Sequence, residues 1–293
     1  MTKFMTPNRM TTPVSALPEL PADISSVVRR ALSEDVGSGD LSAELLPRNQ
    51  ISQATVLCRH SAVLCGTAWF AEVFRQIDPD VKIEWLFHDG NELASDAIVC
   101  NLGGSTRSLL TGERTALNFL QLLSGTATTT REHMRLLSGT RPVLLDTRKT
   151  IPGLRSAQKY AVVCGGGANH RMGLYDAILL KENHIQAAGG VAAAVRQALA
   201  RQRQVQVEVE TLEQLEQAIG AGAQRVLLDN FPLPIMKQAV DLARSRVKLE
   251  ASGGIGPHNL RAVAETGVDY ISMGCLTKDV RAVDFSLRFT RKS

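Results

Sequence analysis

The chain has 293 residues, of which 44% are hydrophobic and 21% are charged, with 33 lysines and arginines against 29 aspartates and glutamates. These proportions are those of an ordinary globular protein, and they exclude a disordered chain and a coiled coil. The length allows about two domains, and a formal net charge of +4 is too small to indicate nucleic-acid binding by itself.

The sequence predicts a protein without a membrane span or an export signal. Its apolar stretches, such as Ala177–Leu180, are far shorter than the roughly 18 residues of a membrane helix. The first twenty residues contain Lys3, Arg9 and three prolines, without the apolar core of about 7 to 15 residues that a signal peptide has. Five widely spaced cysteines without a CxxC pair predict reduced, mostly buried thiols. We therefore expect a cytoplasmic protein.

The first half of the chain predicts a small α+β unit after a frayed tail over residues 1–19. Pro21 and the apolar period that follows it predict a helix over Asp23–Leu32. A second helix is predicted over Thr67–Ile77. Short β-rich runs surround that helix, over Ala54–Leu57, Val81–Phe87 and Ala97–Leu102.

A long helical pattern from Thr106 to Leu137 leads into the second half. We expect an interruption near Ser124–Gly125, because glycine weakens a helix. The predicted domains are 20–124 and 125–280, with a separate carboxy-terminal segment over 281–293.

After Pro142, short β-rich runs alternate with helical segments, which predicts a parallel sheet with crossover helices. The later strands recur at the spacing of one βα unit, so the predicted fold class is α/β with an incomplete βα barrel. The runs are Val143–Leu145, Ala177–Leu180, Val205–Val209, Val226–Leu228, Val247–Leu249 and Tyr270–Met273.

Polar residues and glycines follow these strands at the end where a parallel barrel places its active site. A solvated loop explains any one of them, but the feature recurs at six strand ends. The residues are Asp146, Lys181, Glu208, Glu210, Asp229, Ser252, Gly253, Gly254 and Gly274.

Five side chains that can carry positive charge lie near two of these loops and outline an anion pocket. Guanidinium groups bind carboxylates in bidentate fashion, whereas a lysine ammonium is a mobile point charge suited to phosphate. A solvated role is the simpler interpretation for Lys149 alone, but the set as a whole indicates a binding site. Its members are Arg148, Lys149, His170, Arg171 and Lys181.

Two acidic residues end successive strands. The carboxylates of Glu208 and Asp229 can therefore face each other and hold Mg²⁺, partly through water and with substrate oxygens completing the shell. Pairing of Glu208 or Glu210 with a lysine is an alternative that the sequence leaves open.

The glycine-rich segment Ala251–Pro257 joins a strand to a helix, and Gly274 follows the next strand. Backbone N–H groups in such loops can approach a phosphate at a helix amino end. Backbone geometry alone also explains glycines in a turn, but the position in the last two βα units favours phosphate binding.

Five motifs follow one another along the chain, namely Gly112–Asn118, Asp146–Pro152, Gly165–Arg171, Leu228–Asn230 and Glu250–Gly254. Together, in this order, they closely resemble the quinolinate phosphoribosyltransferase family. The resemblance extends from about Ala31 to Leu287. It implies a small amino-terminal α/β sandwich domain, an incomplete TIM-like barrel and a last segment that returns to the first domain.

The resemblance also implies an activity in NAD biosynthesis. Ribose 5-phosphate would pass from 5-phosphoribosyl 1-pyrophosphate to quinolinate, with decarboxylation and with Mg²⁺, giving nicotinate mononucleotide, pyrophosphate and CO₂. The family works as a homodimer, and Arg114 corresponds to a residue that reaches into the other subunit's active site.

By the same resemblance, the strand-end residues take defined roles. The quinolinate-binding residues of the family correspond to Arg148, His170 and Arg171, and its lysines near substrate anions correspond to Lys149 and Lys181. The carboxylates that serve the ribose and Mg²⁺ correspond to Glu208 and Asp229. The phosphate-binding loops correspond to Ser252, Gly253, Gly254 and Gly274.

One motif departs from the family, whose members often have Thr-His-Ser where this chain has Thr277, Lys278 and Asp279. Lys278 can still meet a phosphate as a point charge, although Asp279 places a negative charge beside it.

Three other functions are considered. The nearest is a nicotinate phosphoribosyltransferase that does not decarboxylate. Another is a barrel aldolase with Lys181 as its Schiff-base lysine. The third, a nucleic-acid-binding protein, is disfavoured because the chain has only three tyrosines and two tryptophans and no long basic run.

Overall fold

Two hydrophobic cores organise the chain, one in each half of the molecule. The computed structural model describes residues 17–201 and 205–290. Most of the predicted tail, residues 1–16, lies outside the described residues.

The first half contains helices α1 to α3, strands β1 to β5 and a short 3₁₀ helix over Ala43–Leu45. Their bounds are α1 Ile24–Asp35, β1 Ile51–Cys58, β2 Ala62–Val63, α2 Thr67–Ile77, β3 Lys82–Trp85, β4 Glu92–Leu93, β5 Ala97–Ser105 and α3 Thr106–Leu136.

The second half alternates strands and helices and ends on a strand. The bounds are β6 Val143–Leu145, α4 Arg155–Cys164, β7 Ile178–Leu180, α5 Glu182–Ala187, α6 Val191–Leu199, β8 Val205–Val209, α7 Leu212–Gly220, β9 Arg225–Asp229, α8 Leu233–Ala243, β10 Lys248–Ser252, α9 Leu260–Ala264, β11 Tyr270–Ser272, α10 Cys275–Lys278 and β12 Phe285–Phe289.

The amino-terminal sheet is antiparallel, with the strand order β12-β1-β5-β3. Alternate residues of β1 are buried, among them Ala54, Val56 and Cys58, because side chains of a strand alternate between its two faces. Helix α2 supplies the large side chains Trp69 and Phe70 to the same core. The sheet takes its edge strand β12 from the carboxyl end of the chain, so that segment packs against the first domain.

Helix α3 runs through Ser124 and Gly125 without a break, so the predicted interruption is wrong. Gly125 is required by close packing, because a Cβ there would collide with the carbonyl oxygen of Arg281. Ser124 Oγ accepts a hydrogen bond from the Cys65 amide at 3.0 Å and donates one to the Cys65 carbonyl at 3.1 Å. Tertiary contacts thus outweigh the low helix propensity of glycine. None of the helices described, α3 included, is long and apolar enough to cross a membrane.

The second half forms a parallel sheet in the order β6-β11-β10-β9-β8-β7. In β8, Val205, Val207 and Val209 are buried, and Val207 and Val209 pack in the core with the surrounding helices, while Gln206 and Glu208 point to the opposite face. The two edge strands, β6 and β7, are not paired with each other within the described residues, and a bridge from Leu145 to Ala168 extends the β6 edge. The structure confirms an incomplete TIM-like barrel with a smaller amino-terminal α/β domain.

Candidate active site

The carboxyl ends of the barrel strands bring the predicted polar residues to one mouth of the barrel. Lys181 follows β7, Glu208 lies near the end of β8, and Asp229 is the last residue of β9. Ser252 ends β10 and pairs in register with Asp229. The mouth of the barrel therefore combines acidic and basic side chains from neighbouring strands.

A buried ion pair fixes the loop that carries two of the predicted cations. Lys159 Nζ contacts Asp146 Oδ1, and both side chains are almost wholly buried. The pair also holds His170, whose amide donates to Asp146 Oδ1 at 2.8 Å and whose carbonyl accepts from Lys159 Nζ at 2.9 Å. Asn169 Nδ2 donates to the second Asp146 oxygen at 2.6 Å.

Burial dominates the titration of this pair. It raises the pKa of Asp146 and lowers the pKa of Lys159, while the charge of each partner opposes the shift in the other. Lys159 was not among the residues predicted from the sequence. The feature that could have indicated it is its position in a helical run, Ala157–Val162, in which most of the other residues are apolar.

Arg148 and Arg171 lie close together and neither forms an ion pair within the described residues. Arg148 Nε is buried and has no hydrogen-bond partner in the described part of the chain. Arg171 Nη1 donates only to a neutral acceptor, the Ala177 carbonyl, at 3.0 Å. Burial lowers the pKa of Arg171, and the neighbouring Arg148 charge lowers it further, whereas the Asp176 charge opposes both effects. Two neighbouring guanidinium groups that are not in ion pairs among the described residues make a site for an anion.

Both ring nitrogens of His170 face protein atoms. Nδ1 accepts a hydrogen bond from the Arg171 amide at 2.7 Å. Nε2 lies 3.5 Å from Glu250 Oε1. Burial lowers the pKa of His170, against the opposing effect of the Glu250 charge. The neutral ring is consequently the relevant form at this position.

Lys181 and Glu208 form an ion pair, which is the alternative that the sequence left open for Glu208. Lys181 Nζ donates to Glu208 Oε2 at 2.7 Å. The neighbouring Asp229 has a raised pKa, because it is partly buried and because the Glu208 carboxylate is close. Lys181 and Lys149 oppose that shift. A lysine held by a carboxylate in this way does not favour the aldolase alternative, which requires a neutral amine.

The carboxylates of Glu208 and Asp229 are suitable ligands for Mg²⁺. Two neighbouring carboxylates are the oxygen donors that Mg²⁺ binds, usually with waters and substrate phosphates completing the shell. Lys181 engages one oxygen of Glu208. Glu208 and Asp229 together thus fit a metal that is shared with a substrate.

The glycines of the predicted phosphate loops have backbone conformations or close contacts that favour glycine. Gly253 and Gly254 have φ values of +89° and +59°, and a Cβ at Gly253 would collide with Asn230. They lie in a turn after β10, whereas α9 begins only at Leu260, so the expected helix amino end is not at these glycines. At Gly274, a Cβ would lie 2.9 Å from Lys149 Cδ. Lys149 therefore extends over the glycine that follows β11.

Comparison with known proteins identifies the family. The model of the quinolinate phosphoribosyl transferase amino-terminal domain matches residues 40–124, and the model of its carboxy-terminal domain matches residues 126–288. The chain belongs to the quinolinate phosphoribosyltransferase family.

Relatives agree over most of the chain. A probable nicotinate-nucleotide pyrophosphorylase (carboxylating) of Bacillus subtilis is 42% identical over 260 residues, which cover 88% of this chain and 90% of the relative. The solved structure of the nicotinate-nucleotide pyrophosphorylase from Francisella tularensis has 47% identity and a TM-score of 0.91, and the match covers 95% of this chain and 100% of that one.

A more distant structure shares the fold alone. Human nicotinic acid phosphoribosyltransferase matches with a TM-score of 0.63 at 15% identity, over 91% of this chain and 74% of that one. At this distance the likeness does not favour the alternative without decarboxylation.

Two further predicted residues of this quinolinate phosphoribosyltransferase family member lie on helices, Arg114 on α3 and Lys278 at the end of α10. Arg114 is exposed on α3 in the amino-terminal domain and forms no ion pair with any described residue. Lys278, in the position of the family's histidine, is engaged by Asp279 at 2.6 Å. The lysine charge is therefore neutralised by its own neighbour.

Proposed function

We propose that this chain transfers ribose 5-phosphate from 5-phosphoribosyl 1-pyrophosphate to the nitrogen of quinolinate and releases CO₂. The chain is a carboxylating phosphoribosyltransferase of NAD biosynthesis. The products are nicotinate mononucleotide, pyrophosphate and CO₂.

A single observation carries this proposal: Arg148 and Arg171 are neighbours, both are partly buried, and neither is in an ion pair within the described residues, where Asp176 is the carboxylate whose charge reaches Arg171. Quinolinate has two neighbouring carboxylates on one planar ring, and two guanidinium groups can bind them in bidentate fashion. A ligand with one carboxylate, such as nicotinate, would neutralise only half of this positive charge. The dicarboxylate is therefore the better match. The predicted contact between His170 and the acid has no free ring nitrogen, because Nδ1 and Nε2 both face protein atoms.

The phosphoribosyl donor is assigned to the other side of the mouth. Lys149 and the loops at Ser252, Gly253, Gly254 and Gly274 receive its phosphates, through the lysine charge and backbone N–H groups. Glu208 and Asp229 would hold the ribose hydroxyls and a Mg²⁺ ion. When bound, Mg²⁺ supplies positive charge to the pyrophosphate oxygens.

The chemistry needs no covalent nucleophile from the protein. The C1–O bond to pyrophosphate breaks as the ring nitrogen bonds to C1, and Lys149 stabilises the charge that develops on the leaving group. Lys181 contributes less to this stabilisation, because Glu208 already compensates its charge. The carbon–carbon bond to the 2-carboxylate then breaks. Its electron pair remains on C2, stabilised by the adjacent pyridinium nitrogen, and C2 takes up a proton. The arginines hold the acid in register for both steps.

The assembly we propose is a homodimer in which Arg114 completes the partner's site. Its exposure on α3, without an ion-pair partner among the described residues, supports a role outside its own chain. The compartment we propose is the cytoplasm, because all five cysteines are free thiols and four of them are buried.

The test is a comparison of two acids. The purified protein is incubated with Mg²⁺, the phosphoribosyl donor and either quinolinate labelled at the 2-carboxylate or nicotinate. We expect labelled CO₂ and the mononucleotide in equal amounts from quinolinate. Turnover of nicotinate without turnover of quinolinate would replace the proposed reaction by the non-decarboxylating one.

A further inference from the structure

A buried polar network fills the barrel interior below the mouth. Glu250, on β10, is fully buried. Its Oε2 accepts a hydrogen bond from Gln206 Nε2 at 2.8 Å and contacts Arg225 Nη2. The Arg225 guanidinium lies 4.0 Å from the centre of the Tyr270 ring, which restrains it by a cation–π contact. These four residues come from four adjacent strands, so they form one layer across the barrel.

The two carboxylate oxygens of Glu250 have different surroundings. Oε1 is buried and has no hydrogen-bond partner among the described residues. Its polar neighbour is His170 Nε2, at 3.5 Å. A buried, unpartnered carboxylate oxygen is costly, and in a ligand-free site such contacts are often longer than in the working complex.

The hydrogen bond at Nδ1 determines which ring nitrogen of His170 carries the proton. Nδ1 accepts a hydrogen bond from the Arg171 amide, so it carries no proton. A neutral ring then carries its proton on Nε2, which faces Glu250 Oε1, and the Gln206 side chain is a second polar group beside the ring. The ring thus links the buried carboxylate to the backbone of Arg171.

We infer that Glu250 is a positioning residue for quinolinate: it fixes the tautomer of His170 and, through the ring, the backbone of Arg171. The Asp146–Lys159 pair holds the main chain of His170 from the other side. The guanidinium of Arg171 is therefore presented to the acid by two separate buried charge pairs. This inference rests on the proposed function only for the identity of the acid.

Glu250→Gln is the direct test, because the amide differs from the carboxylate by one group. Its oxygen must remain towards Gln206 and Arg225, which are hydrogen-bond donors, so its NH₂ faces His170 Nε2. We expect the ring to change to the Nδ1–H tautomer and to lose the bond from the Arg171 amide.

Kinetics give the first readout. In Glu250→Gln we expect the KM for quinolinate to rise about ten- to hundredfold, the usual effect of losing a hydrogen bond to a charged group. The KM for the phosphoribosyl donor should change less than about twofold, since that substrate is assigned to other loops. Glu265→Gln, the same change in an exposed pair with Arg261, is the matched control and should leave both values unchanged.

A second variant separates positioning from folding, because Glu250→Gln leaves the Arg225 charge buried without its partner. Arg225→Met/Glu250→Gln removes both charges. If Glu250 positions the ring, the double variant keeps the high KM for quinolinate even where its Tm recovers. Recovery of the wild-type KM together with the Tm would overturn the inference.

Histidine NMR of the substrate-free protein distinguishes this inference from the proposed function. Ring nitrogens labelled with ¹⁵N should report the Nε2–H tautomer for His170 in wild type and the Nδ1–H tautomer in Glu250→Gln. An Nδ1–H ring in wild type overturns the inference, whatever the activity. A wild type with the expected tautomer that does not turn over quinolinate overturns the proposed function and leaves the tautomer assignment standing.

Discussion

Lys181 Nζ donates a 2.7 Å hydrogen bond to Glu208 Oε2, which joins side chains from the ends of the neighbouring strands β7 and β8. Half of the lysine side chain is exposed, whereas Glu208 is largely buried. Lys181 is therefore a cation whose charge is already compensated in the free protein. Arg148 and Arg171, by contrast, have no such partner among the described residues, and this difference separates two groups of predicted site residues.

Glu208→Gln should raise the Mg²⁺ concentration needed for half-maximal activity by about tenfold, as expected for the loss of one carboxylate ligand. Asp229→Asn should act in the same direction. The measurement is a Mg²⁺ titration of the initial rate at saturating substrates. Glu210→Gln changes an exposed carboxylate just beyond β8 and serves as the control. An unchanged Mg²⁺ requirement in both Glu208→Gln and Asp229→Asn would refute their assignment to the metal.

Arg148→Ala should lower kcat/KM for quinolinate by a hundredfold or more, on the order of the energy of two hydrogen bonds to a charged group. The Tm should stay close to that of wild type, because Arg148 forms no internal ion pair among the described residues and its removal relieves repulsion with Arg171. Steady-state kinetics and a thermal melt check both parts. Full activity in this variant would contradict the role of Arg148.

Mixed subunits test the shared site. Arg114→Ala and Arg171→Ala chains should each be inactive alone, while hybrid dimers should regain activity at one of their two sites. At equal mixing we expect about a quarter of wild-type activity from random pairing. Hybrids that are shown to form by mass spectrometry but remain inactive would argue against a site completed by the partner.

Lys159→Met should destabilise the protein by about 3 to 5 kcal/mol, because it leaves the Asp146 charge buried and unpaired. Urea unfolding measures the change. Arg261→Met, which removes the cation of the exposed pair with Glu265, should cost at most about 1 kcal/mol. Equal effects of the two substitutions would show that the Asp146–Lys159 pair does not hold the fold.

The hydrogen bonds of Asp40 predict that the stability of the fold depends on pH. Its Oδ1 accepts from the amides of Ser42 and Ala43, and Oδ2 accepts from Thr111 Oγ1 at 2.9 Å. The hydrogen bond from the Ala43 amide, followed by that from Thr111, lowers the pKa of Asp40. A lowered carboxyl pKa stabilises the fold above the unfolded value and ceases to do so as the pH falls through the folded value.

Asp40→Ala should therefore cost about 1 kcal/mol near neutral pH, and the difference from wild type should shrink below about pH 4, where the unfolded carboxyl also protonates. Unfolding free energies at a series of pH values provide the measurement. A difference that does not depend on pH would mean that the Asp40 charge is not involved. The contacts of Asp40 are those of a structural turn.

Local sequence patterns predicted most of the strands and helices closely. Helix α2 and strands β6 and β8 have their predicted bounds, because apolar periodicity depends on neighbouring residues only. The predicted interruption at Gly125 was wrong because the packing at this glycine depends on a residue that is distant in the chain. A glycine that admits the Arg281 backbone looks the same in a sequence as a glycine that ends a helix.

The candidate site was predictable as a set of residues but not as a set of pairs. Alternation along β10 places Lys248, Glu250 and Ser252 on one face and Leu249 and Ala251 on the other. It did not show which cation would meet which carboxylate.

The sequence by itself determined the alternation of strands and helices, the polar strand ends and the motifs of the family. Only the tertiary structure decided that Lys159, Arg225 and Lys181 are neutralised internally while Arg148 and Arg171 are not. The physical reason is that charge compensation depends on distances of a few ångströms and on burial, between residues that are far apart in the chain.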